Sequence, residues 1–171
     1  MANVLRILDA NANRTREALR VMEEAARFIL DDASLVSAIK QLRHDFSHAM
    51  TASQACAAME AHRDTPGDVG TTLSTDKEQS RQSASDVALA AGKRLSESLR
   101  AMEEYAKTID TKLAGQLEAM RYRGYQIEQK LNAAMASGKA RQWRLCVLIS
   151  ECLCPGSDWL KVAQNAIAGG A

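Results

Sequence analysis

The apolar positions of the chain fall into two long helical stripes, a break, and two more stripes. Residues 3–30 place Leu5, Leu8, Ala12, Thr15, Leu19, Met22, Ala26 and Ile29 at alternating three- and four-residue spacing, which is one face of an amphipathic helix. Asp31-Asp32 interrupts it, and Asp32 or Ser34 can cap a second helix carrying Leu35, Ile39, Leu42, Phe46, Ala49, Ser53 and Cys56, predicted to run to about His62. A third stripe runs through Ala88, Gly92, Leu95, Leu99, Met102, Ala106 and Ile109. The fourth runs through Leu113, Leu117, Met120, Gly124, Ile127, Leu131 and Ala134. The predicted helices cover 4–30, 33–62, 82–109 and 111–136, and four such helices with one long crossover make an antiparallel four-helix bundle.

The polar positions add something the stripes alone do not. The segments Arg14–Ile29 and Arg94–Ile109 are identical at nine of sixteen positions at an offset of 80, charged residues included. The following helices align at an offset of 78, pairing Leu35 with Leu113, Ile39 with Leu117 and Arg43 with Arg121. The bundle therefore reads as a duplicated helical hairpin with a pseudo-two-fold axis. Opposite the apolar stripes, Asn13, Glu17, Arg20 and Glu24 recur as Lys93, Glu97, Arg100 and Glu104, with Arg14 and Arg94 at the flank. Such faces are either solvated and laced with i,i+4 pairs, or they line a groove or a subunit interface.

Between the copies lies Arg63-Asp-Thr-Pro-Gly-Asp-Val-Gly-Thr-Thr-Leu-Ser-Thr75, unlike anything on either side. Pro66-Gly67-Asp68 is ordinary turn chemistry. The same stretch offers hydroxyls, glycines free to take positive φ at Gly67 and Gly70, and two hard oxygen ligands, Asp64 and Asp68, of the type Mg²⁺ accepts. After the fourth helix, residues 137–142 read as a linker. Trp143–Ser150 then reads as a buried strand, and the face Trp159, Val162, Ala163, Ala166 and Ile167 as a helix closed by Gly169-Gly170. The expected organisation is a helical domain over 1–136 and a short C-terminal β-α fragment over 143–171. Its uncovered strand would seek a second copy, giving a homodimer.

Composition narrows the function. Lys+Arg 22 against Asp+Glu 21 argues for no nucleic-acid partner, and no apolar run reaches membrane-spanning length. The N-terminus shows no signal peptide, and Cys56, Cys146, Cys152 and Cys154 lack C-x-x-C spacing, so a cytoplasmic protein with reduced thiols is expected. His44 and His48 have helical ligand spacing but are followed by no metalloprotease pattern, and no Walker or protein-kinase motif occurs.

At Arg6-Ile-Leu-Asp-Ala-Asn-x-Asn-Arg14, Leu42-Arg-His-Asp45, Arg63-Asp-Thr-x-Gly-Asp-Val-Gly-Thr71, Glu103-Glu-Tyr-x-Lys107 and Leu117-x-x-x-Arg-Tyr-Arg-x-Tyr125, the chain resembles a known family. It is similar to the helical domain that precedes the barrel in some bacterial thiamine-phosphate synthases, a domain like monofunctional hydroxymethylpyrimidine-phosphate kinases. The resemblance implies transfer of a phosphoryl group from ATP, with Mg²⁺, to 4-amino-5-hydroxymethyl-2-methylpyrimidine phosphate. It also implies Asp64 and Asp68 as catalytic and metal-binding residues, and phosphate and substrate contacts from Asn13, Arg14, Arg43, Arg63, Thr65, Gly70, Thr71, Lys93, Arg94 and Arg121. Residues 144–171 resemble the first β-α unit of the synthase barrel. With the rest of the barrel absent from this chain, no synthase activity is expected of it. The competing reading is a non-catalytic dimerisation or regulatory module.

Overall fold

The computed structural model describes residues 2–70, 80–137, 147, 149–150 and 158–169. The chain divides into two compact units, residues 1–138 and 139–171. The first is built on four α-helices: α1 (Ala2–Glu24), α2 (Ala33–Ala52), α3 (Ala84–Ala106) and α4 (Thr111–Ser137). Helix α1 packs on α2 and α3, and α4 packs on α3 and α2, closing a four-membered ring. The short turns set α1 against α2 and α3 against α4 as antiparallel hairpins, paired across by Glu23–Arg43 and Glu103–Arg121, and Asp45–Arg123 joins α2 to α4.

The stripes point inward. Leu8, Leu19, Ile39, Leu99, Leu117 and Leu131 are all fully buried, each contributing about 1.5–3 kcal/mol relative to exposure. Leu19 and Leu99, equivalent in the repeat, are 0% and 1% exposed. Between Leu95 and Leu99 on α3, the bare Cα of Gly124 leaves ordinary contact distances of 3.4–3.8 Å for an added Cβ. The tighter approach of α3 to α4 is at Gly92, where a Cβ would stand 2.7 Å from Glu128 Cγ.

The hairpin turns are set by aspartates. Helix α1 widens into a π-turn over Ala25–Ile29, and Asp31 takes φ 50, a left-handed conformation that Asp tolerates better than most residues. Asp32 then caps α2 by accepting from the N–H groups of Ser34 and Leu35. Its counterpart Asp110 caps α4 through Leu113 N–H. No helix among the described residues is long and apolar enough to cross a membrane.

Two expectations need correction. The second helix ends at Ala52, ten residues early: Ser53 is extended (φ −79, ψ 114), and its hydroxyl donates to Asp110 at 2.6 Å. The chain continues in two short 3-10 turns, Gln54–Cys56 and Met59–His62, anchored by buried Cys56 and Met59.

The expected β-α fragment is the second correction. Most of Trp143–Ser150 lies outside the described residues, and Val147, Ile149 and Ser150, which are described, are not in a strand. No strand occurs among the described residues. The second unit holds a helix, α5 (Trp159–Ala168), whose N-terminal Asp158 makes no side-chain cap. The fold is all-α, and the likeness of residues 144–171 to a barrel unit falls with the strand, as does a dimer through paired strands. The physical reason is that a single strand leaves its backbone donors and acceptors unpaired unless a second one lies beside it.

Candidate functional site

The loop motif is fastened onto the N-terminal half of α1. Arg63 donates from Nε and Nη2 to the two carboxylate oxygens of Asp9 at 2.7 and 2.8 Å, a bidentate pair that raises the guanidinium pKa. The Asp9 side chain is only 4% exposed, so this carboxylate is a buried socket for the arginine. One turn earlier on α1, Arg6 Nη2 donates to the Asp64 carbonyl at 2.8 Å, and its Nη1 lies 3.8 Å from the Asp64 carboxylate.

Within the loop, Asp64 Oδ1 accepts from Gly67 N–H, the Thr65 carbonyl accepts from Asp68 N–H, and Asp68 Oδ1 accepts from Gly70 N–H. The N–H of Gly70, the loop glycine expected to meet phosphate, is thus engaged by the Asp68 carboxylate, as that of Gly67 is by Asp64. Neither glycine takes a positive φ. At Gly67 an added Cβ would meet the Asp64 carboxylate, an exposed side chain that would have to shift.

Seated this way, the loop encloses a cleft of about 560 Å³ with α1, lined by Arg6, Asn11, Arg14, Gly67, Asp68 and Val69 among others. Asn11 and Arg14 also line an adjoining groove of about 500 Å³ between α1 and α3, with Glu17, Arg94, Glu97 and Ser98. Two repeat-related pairs, Arg14 with Arg94 and Glu17 with Glu97, therefore share one groove. Its floor is fixed by the buried hydrogen bond between the Thr15 and Ser98 hydroxyls at 2.8 Å.

The other expected site residues stand elsewhere. Asn13 accepts from Arg16. Lys93 pairs with buried Glu128 at 2.8 Å, which raises the lysine pKa. Arg121 is buried and donates to Glu103 at 2.8 Å. Its pKa is raised by Tyr125 first and by Glu103 as well, against the cost of burial. Burial likewise pushes the Glu103 carboxyl up, but hydrogen bonds from Arg121 and Lys107 outweigh it and hold the pKa below the ordinary value. Arg43 lies 3.4 Å from Glu23, on the far side of α1. Thr71 lies outside the described residues.

Asp9, Arg6 and Asn11 were absent from the expected set. Asp9 had a legible signal: a carboxylate next to Leu8 and one turn from Leu5 and Ala12 must find a cation when that face is buried.

The model of the ThiD2 family matches residues 6–130. Over 95 residues the chain is 52% identical to a thiamine-phosphate synthase of Rhodopirellula baltica, covering 56% of this chain and 25% of that protein. It is 42% identical over 95 residues to a thiamine-phosphate synthase of Nostoc punctiforme, covering 56% and 26%. With the Synechocystis protein of the same name it shares 45% over 83 residues, covering 46% and 21%. The chain thus aligns with about a quarter of the length of these relatives. No solved structure matches it.

Proposed function

Because the chain belongs to the ThiD2 family, we propose that it serves thiamine-phosphate biosynthesis by phosphorylating hydroxymethylpyrimidine phosphate to the diphosphate with ATP. The observation that carries this reading is the double fastening of the Arg63–Gly70 loop to Asp9 and Arg6. It forms a cleft that runs on past Arg14 to Arg94.

The acceptor in this reaction is itself a phosphate monoester, largely ionised at neutral pH. No side chain has to remove a proton from it, so catalysis rests on holding two phosphate groups in line against their mutual repulsion. In this reading Arg14 and Arg94 do that from the groove they both line, and Arg6 from the loop cleft.

Among the described residues no three His, Cys, Asp or Glu side chains gather as a metal site. In this reading the loop carboxylates Asp68 and Asp64 contribute to a Mg²⁺ shell, which suits an ion that binds mainly through substrate phosphates and water. When bound, the ion supplies neutralisation of charge on the transferring group. Asp68 lines the cleft and is the better placed; Asp64 is drawn into the contacts with Gly67 and Arg6.

A coupled assay of ADP release with the pyrimidine phosphate as acceptor tests the reading. Turnover by the wild type, cut roughly 100-fold in kcat by Asp68→Asn or Arg94→Ala, is expected. Absence of ADP release from the folded wild type sinks it. A homodimer belongs to the same proposal, and light scattering checks it.

A further inference from the structure

The two halves of the repeat use one buried charge cluster differently. In the second half, Glu103 accepts from Arg100 and Arg121, and Lys107 Nζ stands 3.3 Å away. Tyr122 and Tyr125 close over Arg121, their ring centroids 4.6 and 5.6 Å from its guanidinium carbon. Glu103 and Arg121 are thereby buried, while Arg100 and Lys107 stay about half exposed at the rim.

The same positions in the first half are Glu23, Arg20, Arg27 and Arg43, but His44 and Ser47 stand where the tyrosines are. Without those rings the site is open. Arg43 is 28% exposed where Arg121 is 8%. Arg20, unlike Arg100, makes no hydrogen bond or ion pair among the described residues and faces solvent. A wedge of about 340 Å³ remains between α1 and α2, lined by Arg16, Arg20, Lys40, Arg43, His44, Phe46 and Ser47.

The charges in this wedge are unbalanced. Three arginines, a lysine and a histidine line it, and the carboxylate behind them is Glu23, nine-tenths buried. Glu23 lies 3.4 Å from Arg43 and 3.9 Å from Lys40, and its Oε2 makes no hydrogen bond. These ion pairs are too long to take up the donors of either cation. Asp45, next to His44, is turned away to Arg123 and Gln41. Arg16 spends one nitrogen on Asn13 and sits 5.8 Å from the Phe46 ring centroid, which holds its head at the mouth.

We propose that this wedge is an anion site for a diphosphate group, supplied either by free pyrophosphate or by the polyphosphate chain of a nucleotide. The chemistry favours an anion of more than one charge: several arginine and lysine donors converge, and planar guanidinium groups match phosphate oxygens two at a time. The site is distinct from the loop cleft, which lies toward the N-terminal end of α1.

Calorimetric titration of the full chain with inorganic pyrophosphate, and in a second arm with ATP, tests this. Arg20→Glu alters an exposed, unpaired side chain and is expected to leave the melting temperature in place. It should weaken pyrophosphate binding about tenfold or more, the loss of one charge-assisted contact together with the added repulsion. Arg100→Gln, at the equivalent position of the second half, should bind like wild type. If ATP shows the same dependence on Arg20, the nucleotide is the source; if only pyrophosphate does, the free anion is. Unchanged binding in Arg20→Glu overturns the proposal, and so does loss confined to Arg14→Glu, which would assign the anion to the loop groove and leave the kinase reading standing.

Discussion

Asp45 and Arg123 occupy the same position in the two halves of the repeat, 78 residues apart, and they meet: Arg123 Nη1 donates to Asp45 Oδ2 at 2.6 Å. A residue can touch its own repeat counterpart only where the pseudo-two-fold axis passes, so the pair marks that axis between α2 and α4. Both side chains are about a third or more exposed, 31% and 42%, and the pair is therefore weak. Asp45→Arg and Arg123→Asp should each destabilise, and the charge-swapped double variant should recover about 0.5 kcal/mol of coupling in urea titrations. Strict additivity would show that the contact contributes nothing.

Arg63 joins loop position to stability. From the sequence alone, Arg63→Ala should abolish activity and leave the melting temperature unchanged, as for an ordinary loop residue. The structure reverses the second half of that expectation, because the substitution strands the Asp9 carboxylate in the interior. We expect a lowered melting temperature together with lost turnover, while Asp68→Asn loses turnover alone. Equal melting curves for wild type and Arg63→Ala would show that Asp9 does not depend on its partner.

The buried pair Glu103–Arg121 should dominate acid sensitivity. The Glu103 carboxyl lies below its ordinary value of 4.5 when folded, and Asp45, held down mainly by Arg123, lies below its ordinary 3.8. Carboxyls depressed by folding contribute stability that is complete above their unfolded values and is lost as pH falls through the folded ones. The melting temperature should thus be level with respect to these groups above about pH 5 and fall below 4.5. Arg121→Ala should cost about 3 kcal/mol at neutral pH, since it leaves Glu103 charged and buried, and should flatten the acid limb. An unaltered acid limb would reassign the sensitivity to other carboxyls.

The two interhelical glycines should answer oppositely to alanine. Gly124→Ala finds ordinary contact distances and gains about 0.5–1 kcal/mol of helix propensity. Gly92→Ala pushes Glu128 aside and disturbs its pair with Lys93. Thermal melts of the two variants should move in opposite directions; a destabilised Gly124→Ala would mean that the added methyl disturbs the packing of Leu95 and Leu99.

The stripes and the repeat were legible because periodicity and shared charge are properties of the chain itself. What was not legible depended on distant partners. The alanine-rich run after Ala52 has good helix propensity, but Ser53 is tied to Asp110, 57 residues away, and the helix stops. Trp143–Ser150 has a strand's composition, but a strand is defined by a neighbour. The charges shared by the two copies left a solvated face, a groove and a subunit interface open, and the family resemblance put them on phosphate. Arg121 and Lys93 instead serve packing, Arg43 opens another wedge, and Arg14 and Arg94 are the repeated pair that shares a groove with the loop end of α1.

The contacts α1–α3 and α2–α4 join equivalent helices of the two hairpins, so the boundary between the halves has the form of an interface between identical subunits. The covalent crossover adds proximity to a surface that is already complementary. A chain severed within residues 71–79 would then remain one particle, and the hairpins, expressed as separate polypeptides, would find each other. Co-purification of two such fragments, one tagged, would show that the two halves hold together without the covalent crossover.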